Sequence, residues 1–189
     1  MTDPYLYPGT NTLRNKEGIR NADELQAFER IATANRMETL PDDTPITAAG
    51  YRQIHHYIFQ DVYDWAGNVR TLDIAKNDDL FCLAPYIDQE LAKQFESLRA
   101  SNGLRGLSAT QFVARAADHL SELNAIHPFR EGNGRTQRAF LFVLGRQAGH
   151  EVDVACIDPL AWNSASRESF RTGDSTSLRE VIAGAVEVL

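Results

Sequence analysis

Twelve consecutive residues hold most of the chemistry that can be read from this chain: His127-Pro128-Phe129-Arg130-Glu131-Gly132-Asn133-Gly134-Arg135-Thr136-Gln137-Arg138. Gly132 and Gly134 flank Asn133, and residues without a Cβ let the backbone curl until successive N–H groups face one concavity, an anion nest. If the nest opens a helix, the positive end of the helix dipole adds to it, which suits a pyrophosphate. Arg135 and Arg138 stand one helical step apart, so both guanidinium groups project toward the mouth of the nest and can clamp two phosphates. Glu131, just before the nest, is an oxygen ligand placed to hold a Mg²⁺ that bridges phosphate oxygens, because that ion commonly uses few protein carboxylates and several waters. His127 is the one group in the run able to accept a proton near neutral pH. Together these make a phosphate-transfer site. Taken singly, each has a plain reading: a partly buried histidine, an exposed charged face. The unbroken run is what favours the chemical reading.

The chain around this run must supply a rigid frame. It has 189 residues, 43% of them hydrophobic, enough for one core and one domain over 1–189. The formal charge of -7 argues against a broad electropositive surface and so against direct nucleic-acid binding; any phosphate chemistry is local. Cys82 and Cys156 are too few for a disulfide framework or a metal-ligand pattern, which fits a reducing cytoplasm. No segment has the length and apolarity of a membrane span or a signal peptide, so a soluble, unexported protein is expected.

The periodicity predicts mostly helices. A charged helix is expected from about Ala22 to Glu38, broken by Pro41 and Pro45. Thr47 can cap a second, with Tyr51, Ile54, Ile58 and Val62 on one stripe, closed by Trp65-Ala66-Gly67. From 69 to about 84 the β-formers Val69, Thr71, Leu72 and Ile74, a polar turn at Asn77-Asp78-Asp79, then Leu80 and Phe81 read as a short exposed hairpin. A third helix follows Pro85, with Ile87, Leu91, Phe95 and Leu98 inward and Asn102-Gly103 at its end. Ser108 with Gln111 forms a capping box for a fourth, which runs to about Ile126, buries Phe112, Ala116, Leu120 and Leu123, and stops at Pro128. After the loop, an apolar helix ends near Gly149. Asp158-Pro159 starts another, and Ser177 with Glu180 is read as the capping box of the last. The expected architecture is an all-α helical bundle with a β-hairpin flap, its core about 47–150 and its C-terminal helices about 158–189.

The run resembles the signature of Fic-domain proteins, His-x-Phe-x-Asp/Glu-Gly-Asn-Gly-Arg-x-x-Arg, matched at every specified position. Asp61-Val62-Tyr63-Asp64-Trp65-Ala66-Gly67, with Arg70 and Asp73-Ile74 after it, resembles the segment leading into that family's flap. The resemblance implies a Fic fold and a protein adenylyltransferase, with ATP as co-substrate and Mg²⁺ as cofactor. It implies that His127 is the general base for a target hydroxyl and that Glu131 binds Mg²⁺ between the α- and β-phosphates. By the same likeness Gly132, Asn133 and Gly134 form the anion hole, Arg135 contacts the phosphates, Arg138 engages the γ-phosphate, and Phe129 anchors the loop. The flap would hold the target segment by strand addition, with Ile74, Lys76 and Phe81 as candidate contacts.

Many members of that family carry an inhibitory helix with the pattern Ser/Thr-x-x-x-Glu-Gly/Asn. Here Glu17-Gly18 follows Leu13, while Thr176 to Glu180 and Ser164 to Glu168 run into Val181 and Ser169, so none is a full match. The resemblance then implies a toxin whose inhibitor is a separate small antitoxin protein, with ATPase subunits of type II topoisomerases as targets. Thr176 to Glu180 is the segment that would overturn this. Two rivals stand beside it: a Doc-like protein kinase, whose loop carries lysine where Gly134 stands, and a nucleotide-binding interaction module without turnover. His55, His56 and His119 are taken as helix surface or satisfied core. Trp65 is open between core and nucleotide stacking, and Asn163 between an adenine contact and a plain helix face.

Overall fold

The computed structural model describes residues 3–76 and 79–186. Among these are α1 (Ala22–Glu38), α2 (Ala48–Phe59), strands β1 (Ala75–Lys76) and β2 (Asp79–Leu80), α3 (Ile87–Ala100), α4 (Ala109–Ile126), α5 (Asn133–Ala148), α6 (Pro159–Thr172) and α7 (Thr176–Ala183). This is the expected all-α bundle with a small flap.

α4 is the central element, packed against α3, α5, α6 and α7, while α1 lies on α2 and α2 on α5. Its buried stripe includes Phe112, Ala116, Leu120 and Leu123, the residues its periodicity predicts. Ser108 and Gln111 form the reciprocal capping box at its start. Tyr51 of α2 meets Phe95, Phe129 and Phe140, which joins α2, α3, α5 and the chemical loop in one aromatic cluster. Each such ring, taken fully from water, contributes about 1.5–3 kcal/mol, so the loop is fastened to the largest apolar store in the molecule.

Three expectations need correction. The second helix stops at Phe59; Val62 is still buried, but from a run of turns through Gly67. The hairpin is shorter than 69–84: Ala75 pairs with Leu80 and Lys76 with Asp79, antiparallel, while residues 69–74 run without regular pairing. Their ladder groups are diverted, since Arg70 N–H donates to Pro128 O at 2.8 Å. Asn77 and Asp78 of the predicted turn lie outside the described residues. Ser177 and Glu180 do not cap α7, which begins at Thr176 after the left-handed Gly173. Asp174 takes the capping task by accepting from Thr176 N–H at 2.9 Å, and Ser177 instead donates to Glu168. Both cysteines are free. Among the described residues no helix is long and apolar enough to cross a membrane.

Candidate active site

The 127–132 loop is shaped by how α4 ends. Pro128 cannot extend the helix. His127 caps it in the left-handed region (φ 47°, ψ 61°), with its N–H still bonded to Leu123 O. Asn133 then closes the loop on itself: Phe129 N–H donates to its Oδ1 at 3.0 Å, and its Nδ2–H donates to Phe129 O at 2.8 Å. The Asn133 side chain is thus consumed in holding the loop, and what it can offer an anion is its backbone N–H. Phe129 is fully buried, its ring stacked 3.8 Å from that of His55.

His55, expected as helix surface or satisfied core, is buried and bonded at both ring nitrogens, and it is a strut of the loop as well, which sequence reasoning did not find. Its Nδ1 accepts from Gly67 N–H at 2.8 Å, so the proton sits on Nε2, which donates to Glu131 O at 3.1 Å. Burial pushes its pKa down to about 3, and the ring is neutral.

Gly132 opens α5 with φ 84°, and a Cβ there would lie 2.2 Å from Phe59 Cζ, so the nest demands glycine at this position for both backbone and packing reasons. The first-turn amides of α5 have no intrahelical acceptors and point out of its N-terminus. Gly132 N–H is taken by Glu131 Oε1 at 2.9 Å, which leaves Oε2 without a hydrogen bond among the described residues. At Gly134 an added Cβ would face Asn163 Oδ1, Arg138 Nη1 and Trp162 Cδ1 at 3.8–4.0 Å, so any longer side chain would project into the cavity.

That cavity, of about 880 Å³, brings together the predicted His127, Glu131, Gly132, Asn133, Gly134, Arg135 and Arg138. Its volume falls in the usual range for small-molecule sites, about 300–1,000 Å³. The His127 ring, half-buried, lines it. Nδ1 lies 3.3 Å from Asn124 O, which can only accept, so the proton is on Nδ1 and Nε2 keeps its lone pair. Burial, with the Arg70 and Lys76 charges, pushes its pKa down to about 4 against the pull of that carbonyl. Arg138 rides over the Trp162 ring at 5.9 Å, its pKa lowered by burial and by Arg135. Arg135 is held differently, its Nη2 2.6 Å from Glu29 Oε1 of α1.

The three flap candidates divide. Ile74 and Lys76 line the cavity. Phe81 lines it too, but its ring is committed to structure: it stacks 3.9 Å from His127 and meets Phe170 of α6 edge-on at 5.3 Å. The flap is also tied to α6 by Arg171, whose Nε lies 3.0 Å from Asp79 Oδ2. Below it, Arg70 is 1% exposed and donates to the carbonyls of Leu72 (2.7 Å), His127 (2.9 Å), Ile126 (3.2 Å) and Cys82. Arg70 neutralises the carbonyl end of α4 and bonds the flap's two arms to the start of the loop.

Sequence reasoning also missed the far end. Trp162 and Gln137, each 1% exposed, line the cavity and bond to one another (Nε1 to Oε1, 3.3 Å). Gln137 Nε2 and Ser166 Oγ are buried there with no partner among the described residues. Asn163 does reach the cavity. Trp65 does not line it, being stacked on Tyr63 at 4.3 Å. His56 Nδ1 bonds to Ala66 O at 3.0 Å, and no group of three or more potential metal ligands occurs among the described residues.

This geometry has known counterparts. The Fic/DOC family model matches residues 45–144. The chain is 41% identical over 94% of its length, and 93% of the relative's, to y4lH of Sinorhizobium fredii, named "probable protein adenylyltransferase". It is 36% identical over 97% of its length, and 92% of the relative's, to Fic of Escherichia coli, which carries the same description. Among solved structures it resembles the BepC effector protein of Bartonella tribocorum with bound AMPPNP, with a TM-score of 0.92 and 30% identity over 98% of this chain and 97% of that one. With more than half its length matched by the family model and nearly all of it aligned to such relatives, the chain belongs to the Fic/DOC family and groups with its protein adenylyltransferases.

Proposed function

We propose that this protein transfers AMP from ATP to a hydroxyl side chain of a target protein. The observation that supports this most is the placing of His127: its unprotonated Nε2 shares one cavity with the α5 amides and both arginines. As the target oxygen attacks the α-phosphorus, Nε2 takes the hydroxyl proton, the bond to the bridging oxygen breaks, and pyrophosphate leaves. A ring whose pKa lies well below 7 is in its base form throughout the physiological range. The amides of Asn133 and Gly134 receive negative charge, joined by that of Gly132 where a phosphate oxygen displaces the Glu131 carboxylate from it, with Arg135 on the phosphates and Arg138 on the γ-phosphate, and this field supplies most of the rate.

A Mg²⁺ fits the donor set as an ion carried in with the nucleotide. One carboxylate, Glu131, with an oxygen to spare, stands beside the phosphate nest, and this cation binds through few carboxylates and substrate phosphates. Held by Glu131, such an ion would supply positive charge to offset that of the phosphates. Gln137 Nε2 and Ser166 Oγ, unpartnered at the Trp162 end, are groups for the nucleoside. Ile74 and Lys76 on the exposed first arm of the flap meet the target backbone by strand addition. The side chain that a lysine would place at 134 is missing, which favours AMP transfer over the kinase orientation.

The finer reading is a cytoplasmic toxin of a toxin–antitoxin pair, acting on a tyrosine of type II topoisomerase ATPase subunits. It draws support from Arg138, which has no carboxylate paired with it among the described residues and so suits a glutamate supplied by a separate small protein. The test is incubation of purified protein, Mg²⁺ and lysate with ATP labelled at the α- or the γ-phosphate, then with purified topoisomerase subunits. Label from α-ATP alone is expected, lost in His127→Ala while ATP binding persists; label from γ-ATP alone, or none from either, refutes AMP transfer.

A further inference from the structure

α1 lies wholly outside residues 45–144, the part that the family model covers, yet it holds Arg135, which lines the phosphate end of the cavity. Glu29 (8% exposed) and Thr33 (2% exposed) stand one turn apart on its buried face. Each receives one terminal nitrogen of Arg135: Nη2–H donates to Glu29 Oε1 at 2.6 Å and Nη1–H to Thr33 Oγ1 at 3.3 Å. The other carboxylate oxygen of Glu29 accepts a short hydrogen bond from Tyr63 OH. Burial, the Glu29 charge and that bond raise the phenol's pKa, so Tyr63 is a donor at any working pH. The Phe59 ring packs against the guanidinium at 4.6 Å, and this same ring would clash with any Cβ at Gly132.

For fold alone this is a poor arrangement. A buried ion pair must recover its desolvation cost, and apolar residues of similar volume often pack two helices as well or better. What the acid adds is direction. A guanidinium has five N–H donors in one rigid plane, so fixing two edges and a face fixes where the remaining donors point. Those donors are the ones left for phosphate oxygens, beside the nest whose glycine abuts the same phenyl ring.

We infer that Glu29 is a positioning residue: through the Tyr63–Glu29–Arg135 chain it holds the Arg135 guanidinium in the orientation that receives the nucleotide phosphates. The inference rests on the phosphate role proposed for Arg135. The opposite function for the same contact would be competition, with the carboxylate occupying Arg135 in place of the phosphates.

The full chain and its Glu29→Ala and Glu29→Gln variants are compared in two measurements. One is calorimetric binding of Mg-ATP and of adenosine. The other is the apparent KM for α-labelled ATP in lysate. Glu29→Ala is expected to weaken ATP binding and raise KM about tenfold, leave adenosine binding unchanged, and recover to within about threefold in Glu29→Gln, which keeps an acceptor for Arg135. Unchanged ATP affinity overturns the inference, as does equal loss for ATP and adenosine, which would mean general damage. Tighter ATP binding or faster transfer in Glu29→Ala also overturns it and makes Glu29 a competitor. If Glu29→Ala loses its helical circular dichroism, Tyr63→Phe removes only the donor behind the carboxylate. It is then expected to raise KM for ATP about threefold without touching adenosine, and no change overturns the inference. Absence of AMP transfer by the unmodified chain would refute the proposed reaction instead, while the ATP-against-adenosine contrast would still decide the role of Glu29.

Discussion

Replacing Arg70 by methionine should be among the costlier single changes outside the loop itself. Methionine keeps much of the aliphatic volume and removes the guanidinium, leaving the carbonyls of Leu72, Cys82, Ile126 and His127 without the donors they now have. Charge-assisted hydrogen bonds are worth about 1.5–3 kcal/mol each, so a naive sum would be roughly 6–12 kcal/mol. Much of that is offset, because a guanidinium 1% exposed has lost its hydration at a cost of several kcal/mol. Water can also reach the carbonyls at the flap edge, and a net destabilisation of about 3–4 kcal/mol remains. For a chain of 189 residues this corresponds to a fall in Tm of roughly 10 °C. Scanning calorimetry reads it directly. Because His127 O is one of the four acceptors, AMP transfer assayed well below the new Tm should fall more steeply than ATP binding, whose amides lie beyond Phe129. Arg70→Lys should fall between the two, since a point charge cannot span four acceptors. A Tm within about 2 °C of the parent, with transfer intact, would refute the idea that this side chain joins flap to loop.

Gly132→Ala places a methyl 2.2 Å from Phe59 Cζ at a φ of 84°, and about 2–3 kcal/mol of stability should be lost together with most ATP affinity, read by urea unfolding with and without Mg-ATP. The His55 imidazole makes the fold acid-sensitive. Its pKa is about 3 when folded and near 6.5 when unfolded, so the unfolded chain binds the proton first. Stability owing to this group is therefore level above pH 6.5 and falls by up to about 1.4 kcal/mol per unit as pH drops toward 3. Denaturant midpoints between pH 7.5 and 4.5 should show this slope, flattened in His55→Gln.

Local patterns carried most of the fold into view. The stripe of α4, its capping box and the proline that ends it are written in neighbouring residues, and the structure has them where spacing puts them. The run from His127 to Arg138 is equally local in its placement, a loop between two helices that opens the second and lines the cavity. What could not be read was set by tertiary contacts. Arg70 looks like any arginine before a flap until carbonyls from both arms of the flap and from the end of α4 converge on it. His55 and Trp162 depend on partners 76 and 25 residues away. The hairpin is shorter than its β-formers suggest because backbone groups at Arg70 and Leu72 go to the loop and to the Arg70 guanidinium, leaving Ile74 O, which accepts from Phe81 N–H at 3.2 Å, as the last backbone link between the arms. The α7 cap was misplaced because Asp174, after a left-handed glycine, outcompetes a serine already bonded to Glu168.

The flap is mounted by its second arm. Phe81 grips the imidazole and Phe170, Asp79 grips Arg171, and the side chains of the first arm from 71 to 76 are left largely in solvent, the arm being held mainly through its backbone, with the Asp73 carboxylate accepting from Ala84 N–H at 2.7 Å. On the function proposed above, recognition falls to the first arm and support of the imidazole to the second. On that reading Leu72 and Ile74 can be exchanged to suit a different client without touching the imidazole, whereas drift at 76, whose charge helps depress the His127 pKa, or at 79 or 81 alters chemistry for every client at once. A lineage built this way can change its prey cheaply while its reaction stays the same.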